Sequence, residues 1–331
     1  MINNVRIRVV HGDILTLKSD ALALKYAQAN YGVDRVVTQS LIGAGWDAST
    51  MRPKPGDYRL LKDVPGIASR LLLFVGVPPL YQFGYGEIRD FARRCLEVLA
   101  AGAPQIETLT VTLHGAGYGL DETEAFESEL AGFWDAISAR DYPAALKQIS
   151  VVEQDERTCK RLQSVLQDLF PSTTLHQKSG LRMQIEPEQT ERLRATGYAS
   201  DSKPHAFVAM PFREDMDDVY HYGIQAAVKE AGFLCERADL SAFTGDVMQW
   251  VRERIQSAAL VVADLTGANP NVYLEVGYAW GREKPTILLA KDAPPSQFDA
   301  RGHRCLVYKR IQDLEASLTA ELKDLRQAGR I

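Results

Sequence analysis

The chain has 331 residues, 46% apolar and 24% charged, which excludes a disordered, collagen-like or coiled-coil chain and suits about two globular domains. Its 38 Lys and Arg against 43 Asp and Glu give a formal net charge of −5, without the basic excess of a dedicated nucleic-acid binder. Cys95, Cys159, Cys235 and Cys305 form no CxxC and no Cys/His cluster, so reduced thiols are expected and a disulfide framework or zinc site is not. Residues 1–13 lack the apolar core of a signal peptide, and the longest apolar stretch, 71–77, falls far short of the ~20 residues that cross a bilayer. The expectation is a cytoplasmic protein with no membrane partner, no nucleic-acid partner and no metal.

Strand-like and helix-like runs alternate along the chain, which predicts α/β architecture with helices covering a sheet. Short apolar runs at 5–10, 21–24, 71–75 and 108–113 read as strands, and 87–100 and 122–138 as helices. A strand at 149–152 and a helix at 157–169 follow, the latter stopped by Pro171. Residues 172–203 are polar and read as a linker carrying a short helix. A second unit starts at His205. Strands are predicted at 206–210, 233–236, 259–263 and 286–290. Helices are predicted at 218–231, 247–257, from 272 to 281, and at 314–325. In the first of these helices, Val219, Tyr222, Ala226 and Ala227 share one face at helical spacing.

The informative segment is ALVVADLTGANPNVYLEVGYAWGREK, residues 259–284. An apolar strand ends in Asp264, a loop with Gly267, Asn269 and Asn271 follows, and a helix opens with Glu275 in its first turn or two. Ligands in open parallel sheets bind beyond the carboxyl ends of strands, so topology alone puts this loop in a crevice. Backbone N–H groups and small polar side chains there suit phosphate or ribose hydroxyls. Taken by themselves, Asp264 suits a strand-end cap and Asn269 and Asn271 suit turns around Pro270.

The pattern ADLTGxNPNVxxExGxAxGxxKP resembles the nucleoside 2-deoxyribosyltransferase family and its TIR-like relatives. The opening strand with Phe207, Ala209, Met210, Pro211 and Phe212, and the late segment with Arg301, His303 and Arg304, fit the same group over about residues 204–310. The resemblance implies a flavodoxin/deoxyribosyltransferase-like parallel sheet. It implies that Glu275 is the catalytic carboxylate at the anomeric carbon, as nucleophile or as stabiliser of an oxocarbenium ion. It implies substrate contacts from Met210, Phe212, Asp264, Asn269, Asn271 and Gly277, with Gly277 and Ala279 letting the helix approach the sheet. Relatives carry a second acid that meets the base, and the matching position here is Val251, with Asp246 and Glu253 nearby. A nicotinamide leaving group already carries positive charge and needs less help, which favours NAD-type substrates.

In the first unit, His11-Gly12-Asp13-Ile14, then Asp20-Ala21, Tyr31-Gly32-Val33-Asp34 and His114-Gly115-Ala116-Gly117-Tyr118-Gly119 follow in order. Glycines at 115, 117 and 119 allow backbone N–H groups to approach a diphosphate. The order resembles macro domains, which bind ADP-ribose and related nucleotides, over about residues 5–170. That implies a mixed sheet and an ADP-ribose-like ligand held by Asp13, Gly32, Asp34, Gly115, Gly117 and Gly119. Where hydrolysing macro domains carry asparagines this chain has Leu24-Lys25-Tyr26-Ala27, so binding without hydrolysis is expected there.

Together these readings predict two three-layer α/β domains, 1–171 macro-like and 204–331 deoxyribosyltransferase/TIR-like, joined by the linker. The leading expectation is an N-glycosidase effector acting on NAD or a related nucleotide under control of the first unit, forming a homo-oligomer, with no cofactor. Antiphage defence is its context by analogy. A nucleoside or nucleotide deoxyribosyltransferase or hydrolase, and a non-catalytic nucleotide-binding signalling protein, are the alternatives.

Overall fold

The computed structural model of the chain describes residues 5–28, 32–170, 187–237, 247–292 and 305–331. It divides into two units, Met1–Ala116 with Glu122–Asp201, and Gly117–Asp121 with Ser202–Ile331. Both are α/β, as the alternation of apolar runs demands.

The first unit contains β1 (Arg6–His11), β2 (Ala21–Tyr26), α1 (Gly32–Gly43), β3 (Tyr58–Lys62), β4 (Leu71–Gly76), α2 (Tyr85–Gly102), β5 (Thr108–Thr112), α3 (Glu122–Ala139), β6 (Gln148–Glu153), α4 (Glu156–Leu169) and α5 (Pro187–Ala195). Its six strands lie in the order β1-β6-β5-β2-β4-β3. Every neighbouring pair is parallel except β3 with β4, so the sheet is mixed. β2 and β4 are buried along their whole length, as strands covered on both faces should be. Leu22, Leu24, Leu72 and Phe74 pack on one face against Val37 and Leu41 of α1. The helix α1 and the edge strand β3 are elements that the apolar runs do not announce.

Helices α2 and α3 approach closely at Gly132, where a Cβ would stand 2.1 Å from the Arg89 carbonyl oxygen and 2.7 Å from the Ala92 Cβ. Backbone cannot yield as a side chain does. Gly132→Ala is expected to lower the stability of this unit by about 1–3 kcal/mol, the usual cost of overpacking, read as a lowered denaturation midpoint. An unchanged midpoint would show that the helices can separate freely.

Part of the expected linker belongs to the first unit. Arg89 is 4% exposed, makes a bidentate pair with Asp135, and donates to the carbonyls of Arg194 (2.8 Å) and Thr196 (2.6 Å). Arg192 pairs with the buried Glu127, and Ser200 donates to Glu124. The Asp201 carboxylate accepts from the N–H groups of Tyr85 and Gly86, both at 3.2 Å, capping the start of α2. Residues 187–201 are thus tied down by polar and charged groups whose partners lie 65 to 116 residues earlier. Residues 172–186 of the expected linker lie outside the described residues.

The second unit contains β7 (His205–Ala209), a π-helix (Val219–Gln225), α6 (Ala226–Glu230), β8 (Leu234–Glu236), α7 (Val247–Ser257), β9 (Leu260–Asp264), α8 (Pro270–Gly281), β10 (Thr286–Lys291), β11 (Cys305–Tyr308) and α9 (Ile311–Gln327). The five strands are all parallel in the order β11-β10-β9-β7-β8. Counted within the unit this is 2-1-3-4-5, the flavodoxin-like order, read from the other edge. Val208 and Met210 face a core with Val219, Tyr220, Ile224, Leu314 and Leu318. Phe207 and Ala209 face the opposite core with Trp250, Val251, Val272, Val276 and Ala279. The edge of β8 is covered by 117–121: Arg237 N donates to the Gly119 carbonyl (3.0 Å), and Cys235 N to Asp121 Oδ2 (3.1 Å).

The helix expected at 218–231 is π-helical over its first half. Its inward face is made by Val219, Tyr220, Ile224, Ala227 and Val228, and two residues turn a helix by about 200°, so Tyr220 is buried at 6% and Tyr222 is exposed at 59%, which corrects the expected inward place of Tyr222. No described helix is long and apolar enough to cross a membrane.

Candidate functional site

In this strand order the direction of the crossovers reverses between β7 and β9, so a crevice opens where the loops leaving their carboxyl ends part. β9 is apolar to its last residue. Asp264, 0% exposed, ends it and is fully engaged: Tyr308 Oη donates to Oδ2 (2.8 Å) and Thr266 N to Oδ1 (2.9 Å). Burial, and then the Asp264 charge, push the Tyr308 phenol well above its ordinary value. Asp264 therefore shapes the loop. Gly267 (φ +78°) and Ala268 (φ +53°) turn the chain, and a Cβ on Gly267 would stand 3.1 Å from an Arg213 guanidinium nitrogen.

Asn269 is the N-cap of α8, its side chain accepting from Asn271 N at 2.9 Å, and Pro270 follows at N1. Asn269 and Asn271 thus have a local structural role at the crevice. Glu275 is the sixth residue of α8, in the second turn, beyond the first turn where the helix dipole favours an acid. It is 8% exposed, and no hydrogen bond or ion pair of its carboxylate is found among the described residues. Burial alone raises its pKa to about 7. A buried, unpaired carboxyl flanking the switch point opposes stability and is the kind of group active sites keep.

The other expected residues distribute differently. Met210 is 3% exposed and packs in the core. Phe212 is half-buried, its ring beneath the Arg237 guanidinium at 4.6 Å. Gly277 faces open space, with nothing within 4 Å of where a Cβ would stand, so it does not bring the helix close to the sheet; Ala279, 0% exposed, does. Gly277 lies on the outer face because it is two residues from Glu275, a turn of about 200° around a helix. Val251, 1% exposed, is core and presents nothing to a ligand, while Glu253 is exposed and bonded to Gln249. Asp246, Arg301, His303 and Arg304 lie outside the described residues.

In the first unit Asp13 is exposed, with Oδ1 accepting from Leu15 N (2.9 Å). Gly32 opens α1 with φ +47°. Asp34 is 1% exposed and bonded to the equally buried Lys25 at 2.9 Å. It is spent inside the fold, a correction to its expected place on a ligand. Lys25 stands beside a second buried pair, His114 Nδ1 and Glu129 Oε1 at 3.3 Å. Burial, and then the Lys25 charge, hold the His114 imidazole well below its ordinary range, and burial pushes Glu129 and Asp34 up. One lysine inside the apolar run of β2 was the signal for this cluster; its partners carried none. The expected glycine cradle is divided, Gly115 falling in the first unit and Gly117 and Gly119 in the second. Among the described residues no three His, Cys, Asp or Glu side chains converge as metal ligands.

No protein-family model and no curated protein matches the chain. Among solved structures, the chain is similar to an Oceanobacillus iheyensis macrodomain with MES bound, at 17% identity and TM-score 0.42, over 52% of this chain and 96% of the other. It is similar to a Trypanosoma brucei macrodomain in complex with ADP at 19% identity and TM-score 0.38, over 50% and 70%. A Clostridium botulinum CMP N-glycosidase, BcmB, matches at 19% identity and TM-score 0.31, over 35% of this chain and 98% of its own. At these identities and scores none of them transfers a residue role to this chain.

Proposed function

We propose that the second unit is a nucleotide N-glycosidase in which the Glu275 carboxylate acts at C1′. The observation that carries the reading is this buried carboxyl, raised to about 7 and without a hydrogen bond or ion pair among the described residues, at the carboxyl-end side of the switch point. Breaking the C1′–N bond sends the bonding pair to the base and leaves positive charge on the ribosyl ring. A desolvated carboxylate opposes that charge far more strongly than one in water. It either holds the oxocarbenium ion or forms a glycosyl ester that water opens, the water proton leaving with solvent.

Val251 gives the reading its direction. No acid at that position can protonate a departing base, since the side chain is core. A nicotinamide departs neutral without receiving a proton. A cationic nicotinamide ring also draws the Glu275 pKa down on binding and so restores the carboxylate. NAD or a related pyridinium nucleotide is therefore the favoured substrate. The first unit is read as a nucleotide-binding module for an ADP-ribose-like ligand, with exposed Asp13 and the turns at Gly32 and Gly115 as its contacts.

The test is mass spectrometry for free base after incubation of the full chain with NAD, nucleosides, deoxynucleosides and their 5′-monophosphates. Nicotinamide is expected from wild type, with Glu275→Gln slower by at least the ~10²–10⁴-fold that a positioned acid–base group contributes. Equal rates in both proteins, or no base from any compound with or without ADP-ribose, would reject the glycosidase.

A further inference from the structure

Among the described residues, three buried or partly buried arginines are held by bidentate carboxylates. Arg254 is bidentate on Glu236, Arg161 on Glu122, and Arg89 on Asp135 with two carbonyls besides. Arg237 is different. Its side chain is 16% exposed, yet among the described residues the polar contacts of its guanidinium are the Met210 sulfur at 3.7 Å and Asp217 at 3.8 Å, the latter beyond hydrogen-bond length. Burying guanidinium donors without acceptors opposes stability unless something else supplies the acceptors.

The group is also held in place. Its carbon lies 4.0 Å from the centre of the Tyr220 ring and 4.6 Å from that of Phe212. Stacking on rings occupies the faces of a guanidinium and leaves the N–H donors at its edge. Tyr220 reaches it from the π-helix, an uncommon winding that recurs at functional sites. Arg237 follows β8 at its carboxyl end, next to the loop leaving β7, which forms one wall of the switch-point crevice.

We infer that Arg237 is a phosphoryl-binding residue, which makes the substrate of this unit a phosphorylated nucleotide and excludes the free nucleoside. A planar fork of donors matches two oxygens of a phosphate. The inference rests on the glycosidase reading for what the ligand undergoes, and on the arginine alone for what the ligand carries.

The experiment measures binding to the full chain by calorimetry. The ligands are NAD against nicotinamide riboside, AMP against adenosine, CMP against cytidine, and inorganic phosphate alone. The proteins are wild type, Arg237→Ala and Arg237→Lys, with circular dichroism to confirm folding. Wild type is expected to prefer phosphorylated members, and Arg237→Ala to weaken them about 10–100-fold, the range of hydrogen bonds to charged groups, while leaving nucleosides unchanged. Arg237→Lys, which keeps the charge and loses the fork, falls between and serves if the alanine variant fails to fold. Preference for NAD over the monophosphates assigns the arginine to a diphosphate, and the reverse to a 5′-phosphate. Absence of phosphate-dependent binding in wild type, or its persistence in Arg237→Ala, overturns the inference. Base release that is unaffected by Arg237→Ala and equal for nucleosides and nucleotides leaves the glycosidase standing and removes this residue. Arg237-dependent binding with no base release does the opposite.

Discussion

Glu275→Gln is expected to stabilise the second unit at alkaline pH while abolishing base release. The folded protein holds the Glu275 carboxyl at about 7, against an ordinary 4.5, because burial disfavours the charge. A folded pKa raised above the unfolded one contributes stability that is complete below about 4.5 and lost as pH rises through about 7. At pH 8 the ionised wild-type residue therefore costs about 3 kcal/mol, from 1.36 kcal/mol per unit, a cost the neutral amide avoids. At pH 4 the two proteins should melt alike. Chemical denaturation of both at pH 4, 6 and 8 tests this; a variant equal to or below wild type at pH 8 would mean that Glu275 is better solvated than its burial indicates. The same group gives the pH dependence of activity. With the carboxylate as the working form, kcat/KM rises with pH through a midpoint near 7, because that ratio reports the free enzyme. A rate falling through that range would make Glu275 a general acid. A group that weakens the fold and is needed for turnover is what a functional site predicts.

The largest stability effect belongs to the first unit. Lys25→Met is expected to cost about 3–5 kcal/mol, because it strands Asp34 at 1% exposure without its cation. Glu129 loses a neighbouring positive charge as well. Asp34 escapes by protonating, so the penalty should shrink toward acidic pH. Pairing the change with Asp34→Leu should restore most of the loss, since a buried ion pair exchanged whole for apolar groups is often neutral. Hydrogen exchange in peptides from β2 and α3 reads the effect within this unit. A single variant that costs under ~1 kcal/mol, within the range of an exposed ion pair, would show that the pair is solvated.

Local elements were legible wherever a short run of residues carried its own instruction. Apolar runs located β2, β4, β9 and β10, whereas α8 begins at Pro270 behind the Asn269 cap, two residues before the expected 272. The strand β9, its loop and the helix that carries Glu275 were read in the order in which they occur. Failures came where a face depended on partners far away. Tyr222 was expected inward, but Tyr220, two places earlier and so on the opposite side of the helix, packs in the core with Ile224 and Leu314. Gly277 was expected against the sheet and stands in open space. Asp34 resembled a ligand contact in its motif, yet the lysine nine residues earlier claims it. Arg237 carried no motif, because its meaning lies in the two rings beneath it and in how few acceptors reach it among the described residues.

The sequence by itself determined the α/β class and most strands, because these follow from periodicity among residues a few places apart, while the carboxylate to suspect came from the resemblance of the motif around it. Tertiary structure decided which charges are desolvated, which are paired and which are left open. It buried Glu275 with no partner among the described residues, joined Lys25 to Asp34, and brought Asp201 back to cap a helix begun 116 residues earlier at Tyr85. Desolvation and pairing depend on everything that packs around a group, and that surrounding is assembled only when distant parts of the chain meet.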